Sequence, residues 1–118
     1  MNRGMIVVAG TIGFESPEAR DGAVAASVDL QLSTRETEPG CLAYVFAADP
    51  VDPTVVQVYE LWQDAASLDA HFAHPNYGAM RAVLRQFPRS GASVTAKHLV
   101  AATAPVYDAA GTPSASFE

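Results

Sequence analysis

The stretch Val55-Val56-Gln57-Val58-Tyr59-Glu60-Leu61-Trp62 alternates as a β-strand does, yet both of its faces are apolar. Val56, Val58, Glu60 and Trp62 project one way; Val55, Gln57, Tyr59 and Leu61 project the other. Residues 92–102 repeat the pattern, with Val94, Ala96, His98 and Val100 opposing Thr95, Lys97, Leu99 and Ala101. A chain of 118 residues makes one domain, and one layer of helices covers only one face of a sheet. Leaving the second face in water is costly at about 25 cal/mol per Å² of apolar surface. A second copy packed sheet to sheet would cover it, so a homodimer is expected. The hydrophobic content of 49% and mean hydropathy of +0.10 agree with a buried interface.

Turn chemistry divides the rest of the chain. Met5 to Phe14 is apolar and β-branched, and forms the first strand. Ser16-Pro17-Glu18 starts a helix, with Ser16 as N-cap and Pro17 at the first helical position. Val24, Val28 and Leu32 recur every four residues, a stripe expected to face the sheet. Pro39-Gly40 stops this helix. Cys41 to Ala48 and Thr54 to Trp62 are strands joined by Asp49-Pro50-Val51-Asp52-Pro53, an antiparallel hairpin. Asp64 caps a second helix that Pro75 divides into segments near 65–73 and 76–87. Ala92 to Ala102 is the fourth strand. The order β-α-β-β-α-β predicts an α+β, ferredoxin-like fold with a four-stranded antiparallel sheet. The domain is expected to span residues 1–104. The tail, 105–118, is either loose or crosses to the partner subunit.

Composition removes several function classes. The net charge is −6, with 7 basic residues, so no nucleic-acid partner is expected. No apolar run reaches the ~18 residues of a membrane span. Met1-Asn2-Arg3-Gly4-Met5 is too short for the basic region of a secretory leader, and Gly10 and Gly13 break the apolar run after it. Cys41 is the single cysteine, which fits a reducing, cytoplasmic setting. Nothing nearby in sequence activates Cys41 as a nucleophile, and Glu38 would raise its pKa. His71 and His74, three apart, lack a third ligand, so no metal is expected. Glycine-rich phosphate loops and the Gly-x-Ser-x-Gly elbow are absent.

Three motifs remain: Glu38-Pro39-Gly40-Cys41-Leu42, then Tyr59-Glu60-Leu61-Trp62-Gln63-Asp64, then Leu68-Asp69-Ala70-His71-Phe72 with His74-Pro75. In this order and spacing the chain resembles the small antibiotic biosynthesis monooxygenase-type family, over roughly residues 5–100. The resemblance implies a dimeric α+β barrel. It also implies that the chain is a cofactor-independent monooxygenase of quinol-monooxygenase type, which oxidises an aromatic phenol or polyketide-like molecule with O₂.

His71 is the first candidate catalyst, because imidazole exchanges a proton near neutral pH. Glu60 is expected beside it, with a hydrogen bond that orients the ring; the alternative is that the pair only ties helix to sheet. Arg81 shares a helix face with Tyr77 and would hold an anionic oxygen, or form a surface ion pair. Tyr44, Trp62 and Phe72 supply aromatic wall, with Tyr77 and His74 as further substrate contacts. Trp62 and Tyr59 also serve as packing residues, and His74 as a turn residue.

The haem-degrading branch of the family needs an Asn on strand one, and Met5 to Phe14 has none. Its Trp on helix two is replaced here by His71. Two alternatives stand beside the monooxygenase: an isomerase or cyclase acting by proton transfer on a small carbonyl or polyketide compound, and a non-catalytic dimer that binds small ligands.

Overall fold

The computed structural model describes residues 4–118; the reading of Met1-Asn2-Arg3 lies outside them. Seven elements follow in the expected order: β1 (Ile6–Gly13), α1 (Pro17–Thr37), β2 (Cys41–Ala48), β3 (Val55–Trp62), α2 (Ala65–Ala73), α3 (Pro75–Arg85) and β4 (Val94–Leu99). The four strands form one antiparallel sheet in the order β2-β3-β1-β4, the ferredoxin-like arrangement. No described helix is long and apolar enough to cross a membrane.

The helix starts are built as their residues dictate. Ser16 Oγ accepts from Ala19 N, and Asp64 Oδ1 accepts from Ser67 N. Pro75 separates α2 from α3, and His74 caps α3 by accepting from Asn76 N at its Nδ1.

Pairing of Ile6, Val8, Gly10 and Ile12 with Trp62, Glu60, Val58 and Val56 sets one face of the sheet against the helices. Tyr44 and Phe46 of β2 share that face, opposite Glu60 and Val58. Trp62, Tyr44, Phe14 and Val56 are fully buried there. The other face carries Val7, Ala9, Val45, Tyr59, Leu61 and Ala96, and none of these is buried.

The face of α1 differs from the expected one. Val28 and Leu32 are more than half exposed, whereas Ala19, Ala23, Ser27, Gln31 and Thr34 are buried. The reason is hydrogen bonding along β2. Gln31 donates from Nε2 to the Phe46 carbonyl (2.9 Å) and accepts from the Phe46 amide (3.0 Å). Arg35 donates to the Tyr44 carbonyl at 2.7 Å. Small residues let the helix close on the strand, and the Gln31 amide substitutes for a missing strand neighbour. Buried Arg20 ties the same helix to the β2–β3 turn through the carbonyls of Asp49, Asp52 and Val55.

From Ala101 the chain runs exposed to its end. Residues 106–114 make a small hairpin closed by Ser114 N to Val106 O (2.8 Å) and Asp108 N to Thr112 O (3.1 Å). Gly111 (φ +82°) supplies its turn. The radius of gyration, 16.0 Å, exceeds the about 13.5 Å of a compact domain this size, because this arm projects from the body.

Candidate functional site

A bend between α1 and β2 builds the site. Gly40 packs so closely on Ser67 that any Cβ there would collide with it, which brings α2 down onto the Glu38-Pro39-Gly40 turn. Gly40 also accepts from Gln63 N at 2.9 Å, and the register of β2 shifts between Cys41 and Ala43. Glu38 is thereby buried at the end of α1, 6% exposed and facing α2.

There it meets His71, itself 2% exposed. His71 Nδ1 lies 2.8 Å from Glu38 Oε1, and Asn76 Nδ2 donates to Glu38 Oε2 at 3.1 Å. With Asn76 on one oxygen and His71 on the other, an ionised Glu38 takes the Nδ1 proton of the ring as its second donor. The remaining nitrogen, Nε2, is left to the other side of the ring. Aromatic rings hold the imidazole in place: Trp62 lies tilted over it at 4.5 Å, and Tyr44 and Tyr77 meet it edge-on at 5.5 Å each.

The expected hydrogen bond between Glu60 and His71 is not formed. Glu60 instead accepts from Trp62 Nε1 at 3.0 Å, two residues along β3 on the same face. The partner of His71 is Glu38, 33 residues distant in sequence. Burial pushes the Glu60 carboxyl above its ordinary value; the Trp62 N–H and His71 pull against this, and Glu38 adds to it. Burial, reinforced by Glu60 and Glu38, likewise raises the Tyr44 phenol far beyond the neutral range. Burial raises the Cys41 thiol too, with Glu38 adding to the effect, which leaves it a poor nucleophile.

Between the sheet and α2–α3 lies a mainly apolar cavity of about 330 Å³. Tyr44, Glu60, His71, Phe72, Tyr77 and Arg81 all line it, with Val8, Val58 and Met80 among the apolar walls. Arg81 stands at the exposed rim and donates to the Tyr77 hydroxyl at 3.2 Å. Trp62 and His74 are elsewhere. Trp62 sits fully buried behind His71, and it shares a second, shallower hollow with His74 and Glu38. Trp62 therefore backs the imidazole rather than walling the cavity, and His74 serves as the cap of α3. Lys97 of β4 also reaches the cavity, a residue that no motif singles out. Among the described residues no three His, Cys, Asp or Glu side chains converge as a metal site requires.

A buried imidazole, held at Nδ1 by Glu38 and bordering an apolar space, can exchange a proton with a ligand there, and the Glu60 carboxyl, raised by burial, lines the same space. A cavity at the small end of the ~300–1,000 Å³ range suits a compact, flat molecule.

Comparison with known proteins places this geometry. Residues 5–83 match the family model described as antibiotic biosynthesis monooxygenase. A structure from Caulobacter crescentus CB15, provisionally named an antibiotic biosynthesis monooxygenase, superposes with a TM-score of 0.74 at 26% identity, covering 83% of this chain and 91% of that one. One from Deinococcus radiodurans, provisionally named the same way, gives 0.75 at 19% identity over 87% and 99% of the two chains, a likeness of fold. The uncharacterized protein sll1783 of Synechocystis sp. is 33% identical over 72 residues, 61% of this chain and 48% of that protein. This chain thus spans about half the length of that curated relative.

The raised Glu60 carboxyl makes stability depend on pH. The folded state holds this proton more tightly than the unfolded chain does. Its contribution is therefore full below the ordinary glutamate value of 4.5 and is lost as pH rises through the folded value. Glu60→Gln keeps an acceptor for Trp62 Nε1 and removes the titration. Urea unfolding across pH 4–8 should show the variant gaining on the wild type as pH rises; a constant difference would contradict the assignment.

Proposed function

The chain belongs to the antibiotic biosynthesis monooxygenase family, and from that premise we propose that it oxidises a small, flat phenol or polyketide-like molecule with O₂. His71 is the base. The observation that carries this reading is the imidazole of His71, fixed by buried Glu38 at 2.8 Å and bordering an apolar cavity.

The chemistry asks little more of the protein. An electron-rich phenolate or enolate is itself the reductant for O₂, so no separate redox group is needed. In an anthrone-type substrate the reacting carbon loses two hydrogens and gains one oxygen atom; the second oxygen leaves as water. The chain has to remove a proton, exclude bulk water and support the anion. His71 Nε2 takes the proton, and the resulting imidazolium is held by Glu38. The Glu60 carboxyl, biased by burial toward its protonated form, lines the same space and donates a hydrogen bond to the developing oxyanion when it carries its proton, and Tyr44, Phe72 and Tyr77 enclose the ring.

A second reading has its own observation. An imidazole and a carboxyl raised by burial border the same cavity, a pairing that also moves a proton across a carbonyl compound without O₂, as an isomerase does.

We further infer that the chain works as a homodimer through the uncovered sheet face. Tyr59 is 43% exposed and Val94 72% exposed on that face. The arm after β4 also exposes Val106, Tyr107 and Phe117, apolar groups suited to a partner subunit.

Two experiments decide these points. Turnover of an anthrone followed by absorbance should require O₂ and fall on the order of 100-fold or more in His71→Ala. Equal rates with and without O₂ would sink the oxygenase, and proton exchange into a carbonyl substrate in D₂O would then favour the isomerase. Sedimentation equilibrium at micromolar concentration should give twice the chain mass. A monomer there would refute the sheet-to-sheet interface.

A further inference from the structure

Arg81 and Lys97 stand out in a chain with 13 acidic and 7 basic residues. They come from different elements, α3 and β4, and both line the same cavity. Both are exposed, so they occupy its rim, while His71 and Glu60 are buried within. Among the described residues neither forms an ion pair: the bridges present join Arg20 to Asp21, and His71 and His74 to Glu38. Arg81 uses an N–H on the Tyr77 hydroxyl, with its guanidinium carbon 5.7 Å from that ring's centre, and keeps its other donors free. Lys97 lies opposite Val8 on the strand register, beside an apolar neighbour rather than an acid.

A cation at the mouth of an apolar cavity, unpaired within its own chain, is a partner for an anion that arrives with the ligand. We propose that the cavity selects a flat aromatic molecule carrying a fixed anionic group, such as a carboxylate, at the end remote from the reacting hydroxyl. Arg81 and Lys97 hold that group at the rim, which directs the hydroxyl end inward to His71 and Glu60. The inference rests on the reading of this cavity as the substrate site and adds its charge selectivity and orientation. It assigns Lys97 a role in specificity and gives Arg81 a remote anion rather than the reacting oxygen.

Equilibrium binding separates this from the question of oxygenation. The probes are 2-naphthol and 6-hydroxy-2-naphthoate, which share a ring body and hydroxyl and differ in the remote carboxylate. Titration calorimetry without O₂ at pH 7.5 and low salt should show the carboxylate bound about fivefold to tenfold more tightly. That ratio should shrink in 500 mM salt, approach one in Lys97→Met and Arg81→Met, and reverse in Lys97→Glu. Both residues are exposed, so the variants are expected to fold, which circular dichroism checks. Equal affinity for the probes, a preference for the neutral one, binding of neither, or a ratio indifferent to both Lys97 substitutions would overturn the inference. Failure of the oxygenase reading looks different: the charge preference persists while no phenol consumes O₂.

Discussion

A buried carboxylate meeting a buried imidazole is the contact on which the site depends. Glu38 and His71 come from two elements that share no local sequence logic, the end of α1 and the middle of α2. Removing either partner of such a pair leaves the other desolvated and unmatched, a loss on the order of 1–3 kcal/mol. The surrounding structure is arranged to avoid that. Asn76 satisfies the second Glu38 oxygen, Ser33 donates to Asn76 at 3.3 Å, and Gly40 gives α2 the room to approach. The turn, the helix break and the catalytic candidate are therefore one packed unit.

Two carboxyls flank this imidazole and serve opposite ends. Glu38 accepts two N–H bonds and supports positive charge on the ring. Glu60, facing the cavity, has one N–H donor, from Trp62, and is pushed toward its neutral form by burial. Trp62 connects the two sides, giving its N–H to Glu60 while its ring lies against His71. Acid and base thus border one space without neutralising each other through a direct hydrogen bond, which either proton-transfer reading requires.

Much of the fold was legible because its signals are local. Ser16-Pro17, Pro39-Gly40, Asp64 and Pro75 punctuate the chain where elements begin and end, and two-faced alternation in β3 marks the uncovered sheet surface. The α1 stripe holds only at Val24; Val28 and Leu32 carry the expected spacing but lie exposed, because the buried side relies on small and hydrogen-bonding residues. His71, Tyr44, Phe72, Tyr77, Arg81 and Glu60 stand out in the sequence by their chemistry, and they share a cavity. Glu38 has no role in the sequence reading beyond its effect on Cys41. Its signal was present: an acid at a helix C-terminus faces the negative end of the helix dipole and needs another reason to be there. Trp62 is expected on the cavity wall and lies behind the imidazole instead, because strand parity cannot tell the front of a ring from its back.

A base role for His71 depends on which of its ring nitrogens carries the proton. Long-range ¹H–¹⁵N correlation spectroscopy of the ring reads this directly in the protein as it stands. Protonated Nδ1 with a free Nε2, converted to a mixture of tautomers in Glu38→Ala, is the result expected of a base held from behind. A proton on Nε2 in the neutral wild-type ring, or a tautomer indifferent to Glu38, would contradict it.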